Sequence, residues 1–163
     1  MIASVVFFAC LFVLCSGLSA KAAEFQVTVN GDSVFKVGKQ GTIKIYLVTG
    51  KGENVTGGQC TVSVDPSLIE LSADRNSYAA DPVFSKVERF KADPEKGIIT
   101  FKAFSETAVK GKKVFIKVPF KFLQPGTTYV SFTSNVVFED GKQAPANPGY
   151  FRLVGYDGDS FAP

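Results

Sequence analysis

Residues 54–72 read NVTGGQCTVSVDPSLIELS, and this stretch decides the fold class. Cys60, Val62 and Val64 alternate with Gln59, Thr61 and Ser63, the period of two that marks a strand with one buried and one wet face. Asp65-Pro66 ends the run, because proline has no backbone N–H to give to a sheet ladder. The pattern restarts in LIELS, Leu68 to Ser72. Two strands parted by a turn, with no helical period on either side, indicate an all-β protein. The polar side, Gln59, Thr61 and Ser63, is small and rich in hydrogen-bonding groups. It is either the solvated face of an antiparallel sheet or a flat recognition surface.

The same period continues outward. FQVTV (Phe25 to Val29), SVFKV (Ser33 to Val37) and TIKIYLV (Thr42 to Val48) precede it, the last setting Ile43, Ile45 and Leu47 against Lys44 and Tyr46. VFSKVERF (Val83 to Phe90), IITFKAFS (Ile98 to Ser105), VFIKVPFKFL (Val114 to Leu123), TYVSFTS (Thr128 to Ser134), NVVFEDGK (Asn135 to Lys142) and GYFRLVG (Gly149 to Gly155) follow. In VFIKVPFKFL the inward set is expected to be Val114, Ile116, Val118, Phe120 and Phe122, with Pro119 on the opposite parity marking an edge or a bulge. Turn signals about every 8–12 residues predict a sandwich or barrel of about nine strands.

Composition agrees. Hydrophobic residues make up 45% of the 163, and 16 Phe with no Trp suit sheet packing. A net charge of +3, with both signs interspersed, is too small to imply nucleic acid as a partner, and none is expected. The N-terminal stretch is apolar from Val5 to Leu14 and then carries Ala20-Lys21-Ala22, the small-x-small arrangement of a secretory signal cut after Ala22. It is shorter than the about 20 residues a membrane span needs. The membrane enters only if this segment is retained as an anchor. The expected organisation is a signal peptide at 1–22, one β-sandwich domain at 23–155 and a tail at 156–163, in a secreted or cell-surface protein. Removal of the signal leaves Cys60 as the one cysteine, whose parity with Val62 places it in the core as a small hydrophobe.

The chain contains no histidine, which excludes Ser-His-Asp and Cys-His nucleophile systems and His-ligated metals. Asp93/Glu95 and Glu139/Asp140 are paired carboxylates, but Pro94, Gly97 and Gly141 beside them mark turns, where acids cap backbone groups. No enzyme and no cofactor are expected. Asn30, Asp32, Asp140, Asp157 and Asp159 lack the spacing of a calcium loop and could at most hold a structural calcium ion. Asn54-Val55-Thr56 is a glycosylation sequon, of consequence only in a cell that modifies such sites.

Three stretches taken in order, VGKQGTIKIYLVTGKGENVTGGQCTVSVDPSLIELS (37–72), KGIITFKAFS (96–105) and KVPFKFLQPGTTYVSFTSNVVFEDG (117–141), resemble the cohesin-like family, bacterial surface modules related to carbohydrate-binding modules. The resemblance implies a nine-stranded β-sandwich of jelly-roll topology, with an immunoglobulin-like sandwich as second choice. It implies non-catalytic protein–protein adhesion through one sheet face, toward a dockerin-like or other surface protein. Carried over position by position, that face comprises Gly57, Gln59, Thr61 and Ser63, with Thr100, Lys102 and Phe104. Gly57 departs from the family, which often offers a polar side chain there. The parity of Phe104 puts an aromatic ring beside Lys102 on the outer face, as suits a binding hot spot. Two other readings remain. A polysaccharide-binding module would need an aromatic platform from Tyr46, Tyr78, Tyr129, Tyr150, Tyr156 or a Phe. A structural subunit of a surface filament would retain its N-terminal apolar segment.

Overall fold

Apart from one 3-10 turn at Arg75–Ser77, the regular structure consists of strands. In chain order they are β1 (Glu24–Val29), β2 (Val34–Lys36), β3 (Gln40–Val48), β4 (Val55–Ser63), β5 (Ile69–Leu71), β6 (Lys86–Asp93), β7 (Ile98–Phe104), β8 (Lys112–Phe122), β9 (Gly126–Phe138) and β10 (Gln143–Tyr156). The computed structural model describes residues 22–30 and 33–158. All but the last residue of the expected signal lies outside that range, as do Cys10, Cys15, Asp32 and Asp159.

The strands form two sheets, ordered β1-β3-β8-β5 and β2-β10-β9-β4-β7-β6. Every pairing between them is antiparallel except that of β2 with the end of β10. The all-β jelly-roll sandwich is therefore as expected, with ten described strands where about nine were anticipated. The differences have local causes. Thr128–Ser134 and Asn135–Lys142 join into β9 because no Gly or Pro interrupts the alternation at Ser134-Asn135, and both neighbouring strands pair across it. Strand β10 starts at Gln143 rather than Gly149 because a register shift between Ala146 and Gly149 absorbs the Asn147-Pro148 dipeptide. Strand β6 starts at Lys86 rather than Val83 because Asp81 turns the chain, its carboxylate accepting from the Val83 N–H at 3.0 Å.

The core fills the space between the sheets. Ile43, Ile45 and Leu47 on β3 and Cys60, Val62 and Val64 in and just beyond β4 are all buried, as their alternation predicts. Strand β8 corrects the sequence reading. Ile45 pairs with Ile116 but Tyr46 pairs with Val114, so Phe115 is the extra residue of a β-bulge. Phe115 and Ile116 both turn inward, and Val114 is left half-buried on the outer side. Phe115 then meets the rings of Phe25, Phe84 and Phe101 at centroid distances of 4.9, 5.0 and 5.1 Å. Pro119 lies opposite Thr42. The Lys117 and Leu123 N–H groups, on the same parity, point away from β3 to Ala79 and Leu68. The proline nitrogen thus faces the gap between Leu71, the last β5 partner, and the Ala79 bridge, where no ladder bond is lost.

Burial pushes the Cys60 thiol well up, against a smaller opposing effect of the Phe101 backbone. Thiol reagents should therefore leave Cys60 unlabelled until the denaturation transition. Phe115→Ala is expected to destabilise the fold by about 3–5 kcal/mol, read as a lower urea midpoint at unchanged slope.

Candidate functional site

Strand β4 lies inside the six-stranded sheet, between β7 and β9. Gln59 is opposite Lys102 on β7 and Asn135 on β9, Thr61 opposite Thr100 and Thr133, and Ser63 opposite Ile98 and Ser131. Because Cys60, Val62, Ile99, Phe101 and Ala103 fill the core side, these polar residues share the outer face. All six side chains expected at the site, Gln59, Thr61, Ser63, Thr100, Lys102 and Phe104, are thus brought onto one surface. The Thr61 and Thr100 hydroxyls lie 3.3 Å apart.

Gly57 is opposite Phe104, and a β-carbon there would collide with the Ala103 carbonyl and come within 2.8 Å of the Phe104 Cα. The edge of the Phe104 ring fills the place a side chain would take, so the departure from the family pattern at Gly57 is steric. Phe104 is consequently half-buried, with the Lys102 ammonium 5.2 Å from its ring centroid. Lys102 also holds the Glu88 carboxylate at 2.8 Å, and Lys86 approaches the same carboxylate at 3.6 Å. The hydrogen bond from Lys102 is the main reason the Glu88 carboxyl is held below the usual range.

Sequence reasoning missed the other half of the face. Strand β9 contributes Tyr129, Ser131, Thr133 and Asn135, all exposed, and β10 adds Tyr150 and Arg152. Tyr129 and Tyr150 are 59% and 78% exposed, with ring centroids 6.2 Å apart. The alternation of TYVSFTS could have placed these residues outward, but only strand order brings them beside Gln59. A shallow depression of about 250 Å³ in the middle is lined by Gln59, Thr61, Thr133, Asn135, Pro145 and Pro148 among others. The face therefore runs from Tyr129, Tyr150 and Arg152 through a neutral, hydrogen-bonding centre to a charged flank of Lys102, Glu88, Arg89 and Lys91.

Among the described residues no group of three or more His, Cys, Asp or Glu could hold a metal ion. The acidic pairs sit at turns: Asp93 accepts from the Lys96 N–H at 3.2 Å and Asp140 from the Lys142 N–H at 3.0 Å.

Residues 25–149 match the cohesin domain family. The chain belongs to the cohesin family. Its fold is similar to the cohesin module of a family 33 glycoside hydrolase from Clostridium perfringens, with a TM-score of 0.69 at 12% identity over 84% of this chain and 98% of that one. The cohesin of a type I cohesin–dockerin complex from Clostridium thermocellum gives a TM-score of 0.61 at 13% identity, covering 82% and 99%. A non-cellulosomal cohesin from the archaeon Archaeoglobus fulgidus gives 0.59 at 12% identity, covering 81% and 92%. No curated protein matches the chain in sequence. Cohesin domains are non-catalytic adhesion modules, typically extracellular or at the cell surface.

The Glu88–Lys102 pair gives this cohesin a defined acid response. A depressed carboxyl value means that the pair's contribution is complete above the unfolded glutamate range and is lost as pH falls through the folded value. An NMR titration should place the Glu88 midpoint below the ordinary 4.5, and Lys102→Ala should bring it back toward that value.

Proposed function

We propose that this cohesin binds a protein partner, dockerin-like or another surface protein, through the outer face of β10, β9, β4, β7 and β6, outside the cell. The observation that carries the reading is the make-up of that face. Its centre is uncharged and capable of hydrogen bonding, large aromatic side chains flank it, and the charges stand at its edges, Arg152 beside the tyrosines and Lys102, Glu88, Arg89 and Lys91 on the other side. That distribution is the anatomy of a protein interface, where aromatic anchors supply most of the energy and rim charges tune encounter. The Clostridium thermocellum relative is described in complex with a dockerin, which supports a partner of that kind.

Polysaccharide binding on the same face is less favoured. The Tyr129 and Tyr150 rings stand at 70° to each other, so they do not offer one plane on which a sugar could stack. The filament reading depends on residues 1–21, which lie outside the described range.

The test is capture from the source organism's extracellular fraction, comparing wild type with folded Gln59→Lys/Phe104→Glu and Tyr129→Ala/Tyr150→Ala variants. Each variant should bind the captured protein at least about thirty-fold more weakly, the effect of losing a hot spot of about 2 kcal/mol. Equal binding by all three proteins, or capture of polysaccharide alone, would sink this reading.

A further inference from the structure

Glu53, in the turn between β3 and β4, points its carboxylate at two backbone nitrogens. Its Oε2 accepts from the Gly50 N–H at 2.6 Å, closing the turn. Its Oε1 accepts from the nitrogen of Ala23 at 2.8 Å. Ala23 is the residue that follows Ala20-Lys21-Ala22, and β1 begins one position later at Glu24. The nitrogen that the export reading would expose as a new α-amine is therefore the one already facing a carboxylate.

We propose that Glu53 is the receptor for the α-ammonium of the processed chain, an inference that rests on the export part of the function proposed above. A signal-cleaving protease adds water across the Ala22–Ala23 peptide bond. The water oxygen bonds to the Ala22 carbonyl carbon, the C–N bond breaks, and the Ala23 nitrogen leaves as an amine that is protonated at neutral pH. An amide-to-carboxylate hydrogen bond becomes an ammonium–carboxylate pair at the same place, shorter and stronger because both partners are charged. The pair ties the residue before β1 to the turn that launches β4, and processing strengthens a tie that is already in place.

Other charged groups surround this pole of the sandwich. Glu24 follows on β1, where its carboxylate accepts from the Gln26 side chain at 2.8 Å. Lys51 is in the same turn as Glu53, and Lys110 and Lys112 flank Gly111, which bonds Thr49 through both its N–H and its carbonyl. Lys112 itself is turned to Gln26 at 3.0 Å and to the Tyr46 ring at 4.3 Å. Glu53 is the carboxylate in hydrogen-bond contact with the Ala23 nitrogen.

The sign of the pH dependence follows. An α-amine that gains a carboxylate partner titrates above its ordinary value of about 7.7–8.0. Its contribution to stability is complete below that unfolded value and is lost as pH rises through the folded one.

The experiment compares three forms of residues 23–163, which contain every described strand: free α-amine, N-acetylated, and Glu53→Gln with a free α-amine. The α-amine of the first should titrate roughly half a unit to one unit above the ordinary value, and that of Glu53→Gln should return to it. The free-amine form should unfold at higher denaturant than the acetylated form at pH 6 and lose that advantage by about pH 10. An unshifted α-amine, or an advantage that persists in Glu53→Gln, overturns the proposal. Intact mass of the exported chain tests the reading beneath it: a start at Ala23 supports both, and a start elsewhere removes the export site whatever Glu53 does.

Discussion

The extra residue in β8 is the constraint on which the rest of the sandwich depends. Packed sheets stand about 10 Å apart, a gap that only large side chains fill from one side. Strict alternation would have turned Phe115 to solvent. The bulge instead sends Phe115 and Ile116 inward together, and rings from β1, β7 and the segment before β6 converge on Phe115. Because Phe101 is one of those rings, the seating of β7 on the core is fixed there. Lys102 and Phe104, its neighbours on the outer parity, inherit their positions from a contact made on the other side of the sheet.

That outer face divides by charge. From Gln59 to Asn135 it carries hydroxyls and amides, while Lys102, Glu88, Arg89 and Lys91 crowd the β6 edge. A bulge between Val87 and Arg89 and the charges along β6 also keep that free edge from pairing with another strand. The same residues that rim the proposed recognition surface thus protect the sheet from aggregation. Contacts in the neutral centre depend little on salt, whereas those at the rim are screened over about a Debye length.

Much of this was legible in the chain because alternation and turn chemistry are local. Ile43, Ile45, Leu47, Cys60 and Val62 announce their parity, and Asp65-Pro66 announces the end of β4. The face residues of β4 and β7 followed from the resemblance, and strand register places them side by side. What escaped was non-local. Nothing in VFIKVPFKFL distinguishes Val114 from Phe115 as the inward residue, because a bulge depends on the partner strand. Tyr129 and Tyr150 could be assigned a side but not a neighbour, because adjacency of β9 to β4 and β10 is a property of the sheet. Phe104 reads as a free-standing ring until Gly57 is seen beneath it.

The short parallel pairing of β2 with β10 sets how the domain carries load. The described strands begin at Glu24, opposite Val48, and end at Tyr156, opposite Lys36 at the other pole of the sandwich. Once β1 has parted from β3, a pull between these two ends draws β2 and β10 in opposite directions along their common axis. Val34, Phe35 and Lys36 are in register with Val154, Gly155 and Tyr156. Their backbone hydrogen bonds are therefore loaded in shear and must fail together instead of unzipping in turn. The resistance of this short pairing is reinforced from the core side, where the Phe35 ring sits 5.0 Å from Phe120 and 6.3 Å from Phe122.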